Sequence, residues 1–145
     1  MQNNNFKNAT DPILLHSGDL LQTNTDLKIT GRGLDFEFTR TYRSRIEYDG
    51  PLGHGWDHHY NKRLIAKENG DMIRFDGMAR FDVYSKNQDG TYQTPAGYFD
   101  TLTKNGDGTY TIVDRMKTVS RYDPDGFIAE MTDRNNNTIK FYYSG

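Results

Sequence analysis

Glycine follows Asp or Asn at 49–50, 69–70, 76–77, 89–90, 105–106, 107–108 and 125–126, and this punctuation limits the fold more than any other feature. Such dipeptides accept the positive φ of a tight hairpin turn, and alternating apolar residues around them mark the strands that the turn joins. The clearest strand is Leu34–Tyr42: Leu34, Phe36, Phe38 and Tyr42 fall on one face, with Asp35, Glu37, Thr39 and Thr41 on the other. Further short segments rich in Thr, Val, Ile, Tyr and Phe are Thr25–Thr30, Arg63–Lys67, Met72–Phe75, Arg80–Tyr84, Tyr98–Thr103, Thr109–Val113, Thr118–Tyr122, Phe127–Met131 and Thr138–Tyr143. No helical pattern competes with them. The expectation is an all-β antiparallel meander of successive β-hairpins.

Short units recur along it. Asp89-Gly-Thr-Tyr92 returns as Asp107-Gly-Thr-Tyr110, Asn69-Gly-Asp71 as Asn105-Gly-Asp107, and an aromatic-Asp pair occurs at 48–49, 75–76, 81–82, 99–100 and 122–123. A hairpin that cannot bury its own rings gains a core by stacking on its neighbours. The chain divides by content into 1–61, with non-repetitive motifs, and 62–145, with hairpin repeats. No Pro- or Ser-rich linker separates them, so one continuous folded unit is expected. A hydrophobic share of 34% and a mean hydropathy of −0.91 make aromatic rings, 13% of residues, the natural core material. Eighteen Lys and Arg against 20 Asp and Glu give a charge of −2 and no electrostatic case for nucleic acid or an anionic membrane surface. There is no cysteine, hence no disulfide or thiolate chemistry. No apolar run reaches membrane-spanning length, and the first residues carry no signal-peptide pattern.

Candidate chemistry is sparse. His54, Asp57, His58 and His59 are the densest set of metal-ligand types, yet Gly53, Gly55 and Trp56 disfavour the helix that would align His54 and His58. On a strand, His54, Trp56, His58 and Tyr60 lie on one side, with Asp57 and His59 on the other. Asp133, Asn135 and Asn137 match the first oxygen positions of a calcium loop, but Thr138 replaces the required Gly and Ser144 the closing Glu; an Asn-rich turn explains them as well. Weak calcium binding by Asp107, Asp123 or Asp125 stays open. His16-Ser17-Gly18 has no evident acid partner, no phosphate-binding loop is present, and the many Asp residues sit beside Gly, where turn chemistry accounts for them. Lys28, Arg32, Arg40, Arg43 and Arg45 form a local basic cluster that Asp35, Glu37 and Glu47 offset. The expectation is no enzyme, no cofactor and no dedicated metal site. Trp56 and Tyr60 leave a glycan-binding or adhesion module as the alternative, through rings stacked on sugar faces.

Several motifs, taken in order, carry a family resemblance: Asp11-Pro12-Ile13, Ser17-Gly18-Asp19-Leu20, Thr25–Ile29 with Gly31-Arg32-Gly33-Leu34, Phe38–Ser44, and Gly50–Asn61. They resemble the N-terminal module of Rhs/YD-repeat proteins. Arg121–Phe127, followed by Thr132–Asn135 and Phe141–Tyr143, is similar to a YD repeat. The resemblance implies a β-sheet wound as a spiral into a hollow shell around a C-terminal polymorphic toxin, with secretion or cell-surface display. It also implies that Gly53, Gly55, Trp56, His58 and Tyr60 form a packing motif with His58 buried and hydrogen-bonded. In this reading Leu34, Phe36, Phe38, Tyr42 and Trp56 anchor the core, Gly31, Gly33, Gly53 and Gly55 permit tight turns, and Tyr122, Asp123 and Gly126 define the repeat. The family's self-cleaving aspartate motif and toxin domain have no counterpart here, so the chain is too short to enclose anything alone. Expected partners are further YD repeats of the same or another chain, the toxin cargo of full-length members, and a second copy paired through an open edge strand at Thr138–Tyr143. Neither nucleic acid nor membrane insertion is expected.

Overall fold

The computed structural model describes residues 13–14 and 17–144; Asp11, Pro12 and His16 of the motifs above lie outside the described residues. Fifteen strands and no helix are present among them: β1 (Ile13–Leu14), β2 (Asp19–Ile29), β3 (Phe36–Arg43), β4 (Asp49–Gly50), β5 (Gly53–His54), β6 (Trp56–His58), β7 (Lys62–Ala66), β8 (Met72–Asp76), β9 (Phe81–Lys86), β10 (Tyr92–Gln93), β11 (Thr101–Lys104), β12 (Tyr110–Val113), β13 (Val119–Tyr122), β14 (Ile128–Thr132) and β15 (Thr138–Lys140). They form a first sheet β1-β2-β3-β6, a second sheet β10-β9-β8-β7, a third sheet β11-β12-β13-β14-β15 and the small ribbon β4-β5. Every pairing is antiparallel, as the turn pattern requires.

The turns are longer than a two-residue Asp-Gly hairpin. At 67–71, 87–91, 105–109 and 123–127 the first residue exchanges backbone hydrogen bonds with the fourth and fifth, and the fourth is a glycine at φ between +88° and +90°. These are three-residue loops closed by a left-handed residue. The sequence hides two more of them, at 114–118 and 133–137, because Lys117 (φ 66°) and Asn136 (φ 64°) stand where glycine stands elsewhere. The recurrent Asp-Gly-Thr-Tyr unit acquires a physical meaning here. Asp89 and Asp107 each accept hydrogen bonds from the backbone N–H and the hydroxyl of the Thr two residues on, which fixes the turn and holds both carboxyls below the usual pKa.

Inner faces of the second and third sheets meet to form the fully buried core. Leu64, Met72 and Tyr84 come from one sheet, and Leu102, Tyr110, Ile112, Tyr122 and Ile128 from the other. Leu34, Phe36, Phe38, Tyr42 and Trp56, expected to anchor the core, are only half-buried. Among the described residues these side chains lie outside the cluster buried between the second and third sheets; they pair along the first sheet instead, Phe36 with Tyr60 at 5.2 Å, Phe38 with His58 at 5.1 Å and Tyr42 with Trp56 at 5.2 Å.

The last hairpin returns to the first sheet. Phe141 packs on Tyr60 at 5.3 Å, and Asn137 sits so close to Gly33 that a Cβ there would come within 2.0 Å of its Cγ. Gly33 is therefore required by this approach and, like Gly31, has no positive φ. The β14–β15 pairing continues past the last strand: Phe141 N–H donates to the Ala129 carbonyl at 2.9 Å, and the Tyr143 hydroxyl donates to the Ile128 carbonyl at 2.9 Å.

Candidate functional site

Asp57 is 1% exposed and joins three parts of the chain. Strand β6, opposite Thr41 on β3, aims its carboxylate away from the aromatic face. One oxygen accepts from the His58 backbone N–H (2.9 Å) and the Asn61 amide (2.8 Å), and the other accepts from the backbone N–H of Ala79 (2.9 Å) in the β8–β9 turn. The Asn61 amide also donates to the Tyr48 hydroxyl at 2.6 Å. Burial and the adjoining Asp57 charge raise the Tyr48 pKa. The same turn is seated against backbone, since a Cβ at Gly77 would fall 2.6 Å from the His58 carbonyl oxygen. Gly55, at φ +72°, brings the chain within 2.7 Å of the Arg43 carbonyl by the same measure, whereas Gly53 (φ +96°) faces open space.

A second polar cluster lies at one end of the sandwich core. Arg74 forms an ion pair with Asp100 and donates to the Tyr84 hydroxyl at 3.0 Å, and Tyr84 in turn donates to Asp100 at 2.8 Å. Burial acts against the Arg74 charge, but Tyr84, Tyr122 and Asp100 hold its pKa above the ordinary guanidinium value. Burial pushes the Tyr122 phenol up to about 12 despite Arg74 nearby. Lys62 donates to the Asp76 carbonyl at 3.0 Å, with its pKa lowered by burial. Arg74 and Asp100 thus match each other's buried charge, while the Arg74 Nε and the Tyr122 hydroxyl are buried without a hydrogen-bond partner.

Asp19 forms the third junction. Strand β2 buries it to 1% exposure, where Arg43 pairs with it at 2.6 Å and the Arg45 backbone N–H donates at 3.1 Å. Burial raises its pKa, but Arg43 and Arg45 outweigh this and leave it below the usual carboxylate value. Ser44 accepts from the Leu20 N–H at 2.9 Å. The Ser17–Leu20 and Phe38–Ser44 motifs thus form one clamp. Arg40 is taken up separately, bidentate on Asp26 and 5.1 Å above the Trp56 ring.

The remaining candidates disperse. His54 is exposed, His58 stacks on Phe38, and His59 lies 3.9 Å from the Tyr60 ring. Burial lowers the pKa of both His58 and His59. Among the described residues no three His, Cys, Asp or Glu side chains converge on a metal position. Asp133 spends both oxygens inside its own turn, on the N–H groups of Asn135 and Asn137 and on the Asn137 amide. Trp56 is flanked by Arg40 and Tyr42. Tyr122 is a core residue, Asp123 closes its turn by accepting from the Phe127 N–H at 2.9 Å, and Gly126 (φ +89°) presses on β7, its carbonyl accepting from Leu64 N–H at 2.8 Å. Sequence reasoning missed Asp19, Arg74, Asp100 and Ala79 as junction residues; only the Ser-Gly-Asp motif around Asp19 signalled any of them.

These features define a protein of the hairpin-repeat, all-β class, knit by buried carboxylates. Residues 10–81 match a domain family described as a domain of unknown function, DUF6531. The tRNA nuclease WapA of Bacillus subtilis (strain 168) is 35% identical over 81 residues, covering 56% of this chain and 3% of that protein. The probable deoxyribonuclease RhsB of Dickeya dadantii (strain 3937) is 35% identical over 60 residues, covering 41% of this chain and 4% of that protein. The DUF6531 match and the similarity to WapA and RhsB relate the chain to the Rhs proteins. It spans only 3–4% of the length of these curated relatives.

Proposed function

We propose that this chain is a non-catalytic structural segment, the start of a β-shell that encloses or presents a C-terminal toxin in longer members of the family. Residues 1–61 serve as the N-terminal module and 62–145 as the first repeats, built as one unit. The observation that carries this reading is the seating of two turns on backbone already laid down: Gly77 on His58 and Gly126 on Leu64. That geometry suits accretion of one hairpin layer on the last. The functional residues are then architectural: Asp19, Asp57, Arg74 and Asp100 as polar junctions, Tyr60 and Tyr122 as ring contacts. Secretion or surface display and further YD repeats as partners follow from the same reading.

A graft tests it. Residues 10–81 of this chain replace the matching segment of WapA, and limited proteolysis of that hybrid is followed. Retained protection of the C-terminal region supports a shell segment; loss of protection with a well-folded graft refutes it. Purified chain is also incubated with tRNA and duplex DNA plus magnesium. Cleavage that a point substitution in this chain abolishes would overturn the non-catalytic reading.

A further inference from the structure

The two outer faces of the sandwich are unlike. On the third sheet the outward row reads Thr101, Thr103, Thr111, Val113, Val119, Arg121, Glu130, Thr132, Thr138 and Lys140, with Arg121 and Glu130 3.4 Å apart across the strands. That is a surface suited to water. On the second sheet the register sets Ile65, Ile73 and Val83 side by side, and Arg63, Phe75 and Phe81 beside them. Ile65 is 41% exposed, Val83 37% and Phe81 55%. Both faces of this sheet are apolar, the pattern of a sheet covered on two sides.

Charge at this face is unmatched in both signs. A pocket of about 300 Å³ is lined by Ile73, Phe75 and Phe81 together with Arg63, Glu47, Tyr48 and Asp49. The Arg63 guanidinium lies 4.6 Å over the Phe75 ring, and its Nε is buried with no hydrogen-bond partner. Among the described residues no carboxylate reaches ion-pair distance of Arg63 and no cation reaches that of Glu47 or Asp49.

We infer that the outer face of the second sheet, from Arg63 and Ile65 across to Phe81 and Val83, docks a second copy of this chain face to face. A two-fold interface must be self-complementary, and this patch carries what that needs: apolar residues together with an unpaired cation and unpaired anions. Two-fold rotation about the Phe75–Phe81 region sets Arg63 of one copy toward Glu47 and Asp49 of the other, matching charges that have no partner within the chain. A four-stranded face about five residues long has a flat footprint of roughly 300 Å² per copy, roughly 600 Å² for the pair, which is below the size of stable specific interfaces and makes the association weak. Association is therefore reversible and concentration-dependent. This face is distinct from the edge strand β15, and the inference does not depend on the shell assignment.

Sedimentation velocity of the whole chain, from low micromolar to near-millimolar concentration, tests it. The weight-average mass rises from 16.8 kDa toward twice that value. Val83→Lys, a change at an exposed strand position, keeps the protein monomeric throughout. Arg63→Glu weakens association about tenfold or more, as does Glu47→Arg with Asp49→Arg, and the three changes combined restore it to within about threefold. Circular dichroism checks that each variant is folded. A mass that stays at the monomer value overturns the inference, as does a folded Val83→Lys protein that associates like the parent. Amide exchange separates the edge route: new protection of Thr138–Lys140 in the associated state would assign pairing to β15 and overturn face docking.

Discussion

Replacing Gly126 by Ala isolates what docking a turn onto the preceding layer contributes. Gly126 has φ +89°, and a Cβ there would meet the Leu64 carbonyl oxygen at 2.0 Å. Gly90 occupies the same position of an equivalent turn at φ +88°, with nothing within 4 Å of its Cβ. Both alanine variants carry the left-handed backbone cost, about 1–2 kcal/mol. Only Gly126→Ala must also lift the β13–β14 turn off β7. That breaks the Leu64 N–H to Gly126 carbonyl bond, about 1 kcal/mol, and loosens Leu64 and Ile128, which are 3% and 0% exposed. The expected loss is roughly 3–5 kcal/mol for Gly126→Ala against about 1–2 for Gly90→Ala. Urea unfolding of both variants and the parent reads the difference, provided the m-values agree. Equal losses would show that the seating of Gly126 on β7 contributes nothing and would remove the main support for layered accretion.

Lys117→Gly relieves a left-handed residue in an exposed turn that otherwise matches the glycine-bearing ones, and it raises stability by about 1 kcal/mol in the same assay. Asp57→Ala strips the acceptor from the His58, Asn61 and Ala79 donors and lowers stability by about 3 kcal/mol or more; a milder effect would mean that water replaces the carboxylate. The pH dependence follows from His58 and His59, whose pKa values are lowered from 6.5 by burial. The unfolded chain binds those protons first, so their contribution is complete above pH 6.5 and is lost as pH falls through the folded values. Asp76, raised by burial, works in the opposite sense. Melting curves should shift downward just below pH 6.5, and His58→Gln with His59→Gln should flatten that slope.

Strand count and direction were legible because turn residues and alternation are local properties of the chain. Nearly every strand foreseen from Leu34 onward exists, to within a few residues. The missed elements carry no such local signal: β4, β5 and β10 are two residues each, β6 is three, and the first half of β2 breaks the alternation, with Leu20 and Leu21 adjacent and Gln22, Thr23 and Asn24 all polar. Burial was less legible. Phe36, Phe38 and Trp56 look like core by alternation, but alternation names only the apolar face and not the layer that covers it. Tyr84, Tyr110 and Tyr122 became the core because two sheets close on them. The junction residues were hidden for a similar reason. Asp57 reads as a metal-ligand type in a run of histidines, and only the tertiary approach of Ala79 turns it into a backbone acceptor.

Whether the chain unfolds as one unit or two turns on Tyr60. Its ring stacks on Phe36 of the first sheet at 5.2 Å and on Phe141, beyond the last strand, at 5.3 Å, and its hydroxyl accepts from the Glu37 N–H at 3.1 Å. It is the aromatic link between the first residues laid down and the last. Tyr60→Phe removes only the hydroxyl contact and should cost about 1 kcal/mol with a single unfolding transition preserved. Tyr60→Ala removes the ring from both partners and should cost about 3–5 kcal/mol. It should also separate the unfolding of the first sheet, followed by Trp56 fluorescence, from that of the sandwich, followed by far-UV circular dichroism, because coincident transitions require the coupling that the ring supplies. Non-coincident probes in the parent would refute a continuous unit outright. Coincident probes in Tyr60→Ala would place the coupling in the Asp57–Ala79 and Gly126–Leu64 contacts alone.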